Sequence, residues 1–275
     1  MNLFRADLFR LVRDKSLYIF AAILTALSTL ICLVYYFLSK NSSSATEISK
    51  VILQCADLGI LSTLTGIAVS LYNGKDFTNN TIRNKIGCGE SRYKVFFVKL
   101  LENYLLAIVF FAISVGVSAA IGSFLFEHTL LAGFWKQLFC QLALLIGFIS
   151  VISAVVNTTK SMKVSIILTV ALFVVLNALA TMIPTLSDGA FVKILCRSVY
   201  MIVSNMMVPK FGGGNFGGAE IPDGTYVANI GMTADRQLIS VTYDNLYLNA
   251  IIIAIVYTAV AITVTLLVLR KQDYK

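Results

Sequence analysis

Long uncharged stretches separated by short charged segments dominate the pattern of this sequence. Six stretches of 23–25 residues lie between charged positions, and only one of them contains a further charge, Asp57. A membrane-spanning helix needs about 20 apolar residues, because the hydrocarbon core is about 30 Å thick and each helical residue rises about 1.5 Å. The pattern therefore predicts an all-α integral membrane protein, with one transmembrane domain over residues 1–275. We predict spans at residues 17–38, 51–73, 100–126, 137–157, 164–186 and 246–269.

Composition agrees with a membrane protein and excludes other classes. Hydrophobic residues make up 58% of the chain and charged residues 13%, against about 25% charged residues in a soluble protein. A disordered chain would be poor in apolar residues. Five scattered cysteines, an odd number, do not fit a disulfide scaffold.

The distribution of lysine and arginine predicts the orientation of the chain. Six spans put both termini on one side of the membrane. The termini and the loops after spans two and four carry 15 of the 22 basic residues, and the opposite loops carry seven. The positive-inside rule makes the first side cytoplasmic. We therefore predict a multi-pass protein of the cell (cytoplasmic) membrane, whose net charge of +8 faces membrane lipid and not nucleic acid.

Residues 1–16 precede the first span and carry an amphipathic pattern. Phe4, Leu8 and Leu11 fall near one helical face, and arginines lie elsewhere around the helix. This favours a short helix in the membrane interface. The alternative is an ordinary basic anchor of the positive-inside type.

The segment after span two is long enough for a short cytoplasmic helix. Thr78 can cap it, and Ile82 and Ile86 give it an apolar face at i, i+4 spacing. Gly87 and then Gly89 end this helix.

The third long helix begins at Glu90 or Ser91 and is expected to project below the membrane. Within the span, Ser114, Ser118 and Gly122 form a small-residue face suited to helix packing. The projecting part carries charged residues that we expect to face water: Arg92, Lys94, Lys99 and Glu102.

Residues 188–244 form a long outer excursion between spans five and six. Its first part, Phe191–Val208, is too short and too charged for a span and suits an interfacial or re-entrant helix. The glycine-rich part from Pro209 to Tyr243 is expected to be loop. The excursion either contacts substrate at an exit or seals the outer face.

Residues for catalysis or metal binding do not cluster in this sequence. The one histidine, His128, lies beside Glu127 in a short loop, and no P-loop pattern occurs. We therefore predict no catalytic residue, metal site or cofactor on this chain, and no enzymatic activity of its own.

Polar residues inside the spans are candidates for a translocation path. For Asp57 the alternative is contact with water at the outer interface. Hydroxylic residues of span two can instead permit close helix packing, and an amide in span five can bond to a neighbouring helix. The candidates for the path are Asp57, Ser62, Thr63, Thr65 and Asn177.

A family resemblance lies in the loop after span two. Residues 76–85 read DFTNNTIRNK and residues 89–92 read GESR. This resembles the cytoplasmic motif of ABC-2-type transporter permeases, commonly acidic–aromatic–x–x–Gly–Thr–Ile–Arg–Asn–Lys followed by a Gly-x-Ser-Arg-like turn. Asn80 stands where the family usually has glycine, and asparagine also tolerates left-handed backbone.

The resemblance implies a specific function, which the composition alone does not indicate. Segment 77–89 would be a coupling helix, with Thr78–Ile86 docking on a separate ABC ATP-binding subunit that holds ATP and Mg²⁺. A second permease chain would complete a homo- or heterodimer. Lys160 and Lys163 would form a secondary cytoplasmic contact. Docking residues would be Asp76, Phe77, Thr78, Thr81, Ile82, Arg83, Lys85, Glu90 and Arg92.

This family resemblance favours a transmembrane permease subunit, an exporter of peptide, lipid-like or antibiotic substrate. Two alternatives stay open: a stand-alone membrane carrier, and an immunity-type membrane protein without an ATPase. For Arg83 and Lys85 the alternative role is plain positive-inside charge.

Overall fold

A computed structural model describes residues 2–41, 48–56, 58–126, 134–186 and 246–271, with strand residues at 215–216, 219–220, 226–232 and 238–243. The helices are α1 (Asn2–Arg13), α2 (Lys15–Asn41), α3 (Ile48–Cys55), α4 (Leu58–Thr78), α5 (Thr81–Gly87), α6 (Arg92–Leu125), α7 (Phe134–Thr159), α8 (Met162–Leu186) and α9 (Leu246–Lys271). The strands are β1 (Asn215–Phe216), β2 (Ala219–Glu220), β3 (Tyr226–Met232) and β4 (Leu238–Tyr243).

Four helices of the described chain are long and apolar enough to cross a membrane. They include the segments Lys15–Lys40, Arg92–Leu125, Phe134–Thr159 and Ile251–Arg270. Large apolar side chains cover their outward faces, as at Phe37, which is 62% exposed. An apolar exterior of this kind suits contact with lipid and would be costly in water. The protein is therefore a helical, membrane-embedded protein.

The second predicted span is two helices and not one. Helix α3 ends at Cys55 and α4 begins at Leu58, so the prediction of one continuous helix over 51–73 is wrong. Ala56 still donates its N–H to the carbonyl of Ile52 at 2.9 Å. Asp57 itself lies outside the described residues.

Helix α6 extends well past a bilayer core. Its 34 residues span about 51 Å, against a core of about 30 Å. Ser91 is its N-cap, and the hydroxyl oxygen accepts the N–H of Lys94 at 3.3 Å, as the predicted start requires. Ser114, Ser118 and Gly122 are all buried, which confirms the predicted packing face.

The core lies where α4, α6 and α7 meet. Leu61, Phe110, Leu145, Ile149 and Ile152 are each no more than 2% exposed. Helices α8 and α9 then pack on the outside of α4 and α7, and α2 packs on α6. Helix α4 is therefore surrounded by protein on several sides, unlike the lipid-facing helices.

The excursion between α8 and α9 contains strands that we did not predict. Strand β1 pairs with β2, and β3 pairs antiparallel with β4. Segment 238–243 reads LISVTY, whose β-branched and aromatic residues favour a strand. The prediction of loop throughout Pro209–Tyr243 is therefore wrong. The predicted helix Phe191–Val208 lies outside the described residues.

Gly74 permits the closest approach of α4 to α8. A Cβ at this position would lie 2.6 Å from the Cα of Met162, which is backbone and cannot rotate away. In contrast, a Cβ at Gly116 in α6 would meet nothing within 4 Å. The two glycines form a matched pair for testing this packing.

We expect Gly74→Ala to destabilise the protein by about 1–3 kcal/mol, because the two helices must separate. Gly116→Ala should leave stability unchanged or slightly higher, because alanine is the better helix residue. Thermal unfolding of the purified chain in detergent measures both. Equal melting temperatures for the two variants would show that α4 and α8 do not pack as described.

Candidate functional site: a buried charge network

Four helices place charged side chains together at one end of the bundle. Asp7 and Arg10 lie three residues apart on α1, and Lys99 and Glu102 lie three apart on α6. This spacing puts each pair on one helix face. Asp76 on α4 and Lys85 on α5 complete the set. We call Asp7, Arg10, Asp76, Lys85, Lys99 and Glu102 the charge network.

Lys99 is the centre of the charge network. Its Nζ lies 2.8 Å from Asp76 Oδ2, 2.7 Å from Glu102 Oε2 and 3.9 Å from Asp7 Oδ2. The residue is 3% exposed and Glu102 is fully buried. Our prediction that these two α6 residues face water is therefore wrong. Lys99 turns inward between Asp76 of α4 and Asp7 of α1, and Glu102 turns inward with it as its ion-pair partner.

The short helix α5 joins the charge network through Lys85. Its Nζ lies 2.5 Å from both carboxylate oxygens of Asp7, and the side chains are 13% and 5% exposed. Arg10 pairs with Asp76 in the same layer. Three carboxylates thus face three cations, so formal charge balances. Buried charges need this balance, because an unpaired ion in a low-dielectric site costs several kcal/mol.

Tyr72 on α4 lies against the charge network. Its ring centroid is 4.6 Å from Lys99 Nζ and 5.5 Å from Arg10 Cζ, within reach of cation–π attraction. Its hydroxyl donates to the backbone carbonyl of Asp7 at 3.3 Å. One aromatic side chain therefore contacts residues of both α1 and α6.

A ladder of buried amides continues from the charge network into the bundle. Asn73 Nδ2 donates to Asn103 Oδ1 at 3.0 Å, and Asn103 Nδ2 donates to Ser153 Oγ at 2.8 Å. Asn157 Nδ2 donates to the Ser153 carbonyl at 2.7 Å. These bonds connect α4, α6 and α7 behind the charged layer.

Most of the features that the sequence predicts for the turns around α5 are present in the structure. Asn80 precedes the helix with φ of 54°, which confirms that asparagine accepts the left-handed turn. Gly89 follows it with φ of +94°. We predicted that Thr78 caps α5, and this is wrong. Helix α4 continues to Thr78, and the Thr78 hydroxyl donates to the Gly74 carbonyl at 3.0 Å. The helix is Thr81–Gly87 and not Thr78–Ile86.

The residues predicted for docking divide into buried and exposed groups. Ile82 is buried, and Asp76 and Lys85 belong to the charge network. Arg83 is exposed on the outside of α5, as is Thr78 at the end of α4. The others are partly exposed: Phe77, Thr81, Glu90, which lies 2.6 Å from Lys94 Nζ, and Arg92.

The turn between α7 and α8 carries the two residues predicted for the secondary contact. Burial together with the charge of Arg92 lowers the pKa of Lys160. Lys160 has φ of 51° in this turn, and Lys163 is exposed. Met162, two residues after Lys160, lies against Gly74 near the end of α4, so this turn is at the same end of the bundle as α5.

The translocation candidates lie mostly in packed surroundings. Ser62 and Thr65 are buried and Thr63 is half-buried. A Cβ at Gly66 would lie 2.4 Å from Ile152 Cδ1. The described part of span two therefore supports close packing. Asp57 lies outside the described residues, as does the side chain of Asn177.

We did not predict that Asp7, Lys99 and Glu102 belong to one site. The available signal was opposite charge at i, i+3 near the ends of two helices. Within the described residues, no three His, Cys, Asp or Glu side chains converge as metal ligands would.

The chain matches no protein-family model and no curated protein. The function must therefore be argued from the site itself.

The pair Asp7–Lys85 should be strongly coupled in stability. In a double-mutant cycle with Asp7→Asn and Lys85→Met, we expect a coupling energy of about 2–3 kcal/mol, because either single change leaves a buried charge unpaired. The half-exposed pair Glu90–Lys94 should give about 0.5 kcal/mol as the matched control. Denaturation in detergent measures both cycles, and equal small couplings would contradict the buried network.

Proposed function

We propose that this protein is the permease subunit of a membrane transporter driven by a separate ATP-binding subunit that docks on α5. One observation carries the proposal. Helix α5 lies outside the long apolar helices, exposes Arg83, and is joined by the Lys85–Asp7 pair to α1 and through it to α6. An exposed helix that is tied by buried charges to the bundle suits the transmission of force.

The charge network connects α5 to the membrane-spanning helices and would transmit a displacement of α5 to them. Lys85 pairs with Asp7 on α1, and Lys99 lies between Asp7, Asp76 and Glu102. Separating buried ion pairs costs about 3–5 kcal/mol. The inner ends of α4 and α6 therefore move with α5 and not independently of it. The amide ladder extends this movement to α7.

In this proposal fewer residues are available for docking than the family motif alone implies. Lys85 and Asp76 are engaged within the chain, so Arg83 is the main cation of α5 for an acidic partner surface. Arg92, Lys160 and Lys163 border it and provide a second contact. ATP and Mg²⁺ bind the partner, where hydrolysis takes place.

The proposal includes six spans, with α3 and α4 together as the second and α8 as the fifth. Both termini and α5 face the cytoplasm across the cell membrane, because the charge network side carries most basic residues. A second permease chain completes the path, and the cargo is a peptide, lipid-like or antibiotic molecule moved outward.

Cys88 tests this topology without an engineered reporter. It is exposed after α5, whereas Cys32, Cys55 and Cys140 are buried. In a Cys196→Ser chain, a membrane-impermeant maleimide should label Cys88 in inside-out vesicles and not in intact cells. A Cys88→Ser/Cys196→Ser chain should label in neither. Labelling of Cys88 in intact cells would place α5 outside and defeat the proposal.

Arg83→Glu tests docking. Co-purification with a P-loop ATPase encoded beside the gene should fall at least tenfold, because one favourable ion pair becomes a repulsive one. Stimulated ATP hydrolysis should fall with it. Arg270→Glu, an exposed arginine at the end of α9, should leave the complex intact. An unaffected Arg83→Glu complex, or transport by the chain alone without nucleotide, would favour the stand-alone carrier.

A further inference from the structure

A cavity of about 230 Å³ lies between α1 and the last turns of α4. Arg10, Arg13 and Lys75 supply three cations to its wall, and Asp14 and Asp76 supply two carboxylates. One water needs only about 15 Å³ of such space, so the cavity has room for a group the size of a phosphate. The charged side chains in this wall suit a charged occupant.

Both carboxylates in the wall are already engaged by cations. Lys75 Nζ lies 3.0 and 3.1 Å from the oxygens of Asp14. Burial of Asp14 is outweighed by the Ser16 N–H and Lys75, which hold the pKa of its carboxyl below the usual value. Asp76 is shared between Arg10 and Lys99. An anion entering the cavity therefore meets carboxylates whose charge is compensated.

Arg13 is the cation in this wall that lacks a carboxylate. Among the described residues its guanidinium contacts the ring of Phe9 at 5.5 Å and forms no salt bridge. A guanidinium presents several N–H donors in a planar fork that matches phosphate oxygens. Arg13 is also exposed, so it can reach an incoming anion without breaking a salt bridge to a described residue.

Exposed apolar side chains also occur on α1 and at the start of α2, close in sequence to Arg10, Arg13 and Asp14 of the cavity wall. Phe9 is 63% exposed and Val12 is 54% exposed on α1, and Tyr18 is 61% exposed in the first turns of α2. Helix α2 enters the membrane here. A free phosphate ion would gain nothing from these side chains. A phospholipid would bury acyl carbons against them while its headgroup occupies the cavity.

We propose that the cavity between α1 and α4 binds the phosphate of an anionic phospholipid headgroup, held by Arg13 with Arg10 and Lys75. The acyl chains lie along Phe9 and Val12. Such a lipid bridges α1 and α4 beside the charge network. The inference does not depend on an ATP-binding partner, so its failure leaves the proposed function untouched.

Native mass spectrometry of the full chain in detergent tests the lipid site. The probes are phosphatidylglycerol, phosphatidylcholine and inorganic phosphate. The wild-type chain should bind its first phosphatidylglycerol more tightly than phosphatidylcholine. Arg13→Gln should weaken that binding about fivefold, the effect of one basic residue near an anionic lipid. Arg5→Gln, an exposed arginine of α1 outside the cavity wall, should change it less than twofold.

Thermal unfolding gives an independent readout of the same site. Phosphatidylglycerol should raise the melting temperature of the wild type more than that of Arg13→Gln, while both melt together in phosphatidylcholine. Equal effects of Arg5→Gln and Arg13→Gln would show general surface attraction and overturn the site. Equal binding of the two lipids would overturn the anionic headgroup. Stabilisation by millimolar inorganic phosphate alone, lost in Arg13→Gln, would overturn the lipid assignment in favour of a soluble anion.

Discussion

A buried charge must have an opposite charge beside it, and this requirement organises one end of the protein. Glu102 is fully buried and Asp7 and Asp76 are each 3% exposed. No single helix could satisfy them. Lys99 comes from α6, Lys85 from α5 and Arg10 from α1, so each helix is needed by the others. Helices α1 and α5 are short and would be only marginally stable in isolation. Their positions follow from this balance of charges.

Within the membrane the helices are held by different forces. Lipid tails are as apolar as leucine, so apolar side chains gain little by leaving lipid for protein. Close contacts and polar pairs must supply the association instead. Gly147 lets the backbone of Ala254 approach, and Ser70 bonds Thr169 at 2.9 Å. The charge network thus holds the helices together at one end of the bundle. Small residues allow the close helix–helix contacts in the rest of the bundle.

The sequence predicts local structure well where local rules decide it. Uncharged runs locate the long helices, and Asn80 and Ser91 mark the turns around α5 because asparagine tolerates positive φ and serine caps helices. Burial of Lys99 and Glu102 could not be predicted in this way, because an i, i+3 ion pair looks the same on a solvated face. Only the placement of α1 and α4 around this part of α6, through Asp7 and Asp76, decides it. Thr78 fails as a cap because α4 continues to this residue, whose hydroxyl donates to the Gly74 carbonyl.

The central claim is that the charge network holds α1 and α5 to α6 as one unit. Hydrogen–deuterium exchange of the full chain in detergent, compared between wild type and Lys85→Met, tests it most directly. The account predicts that exchange in Thr81–Gly87 and in α1 becomes about 30-fold faster, the effect of losing about 2 kcal/mol of coupling, while α7 is unchanged. Unchanged exchange in both short helices would contradict the account.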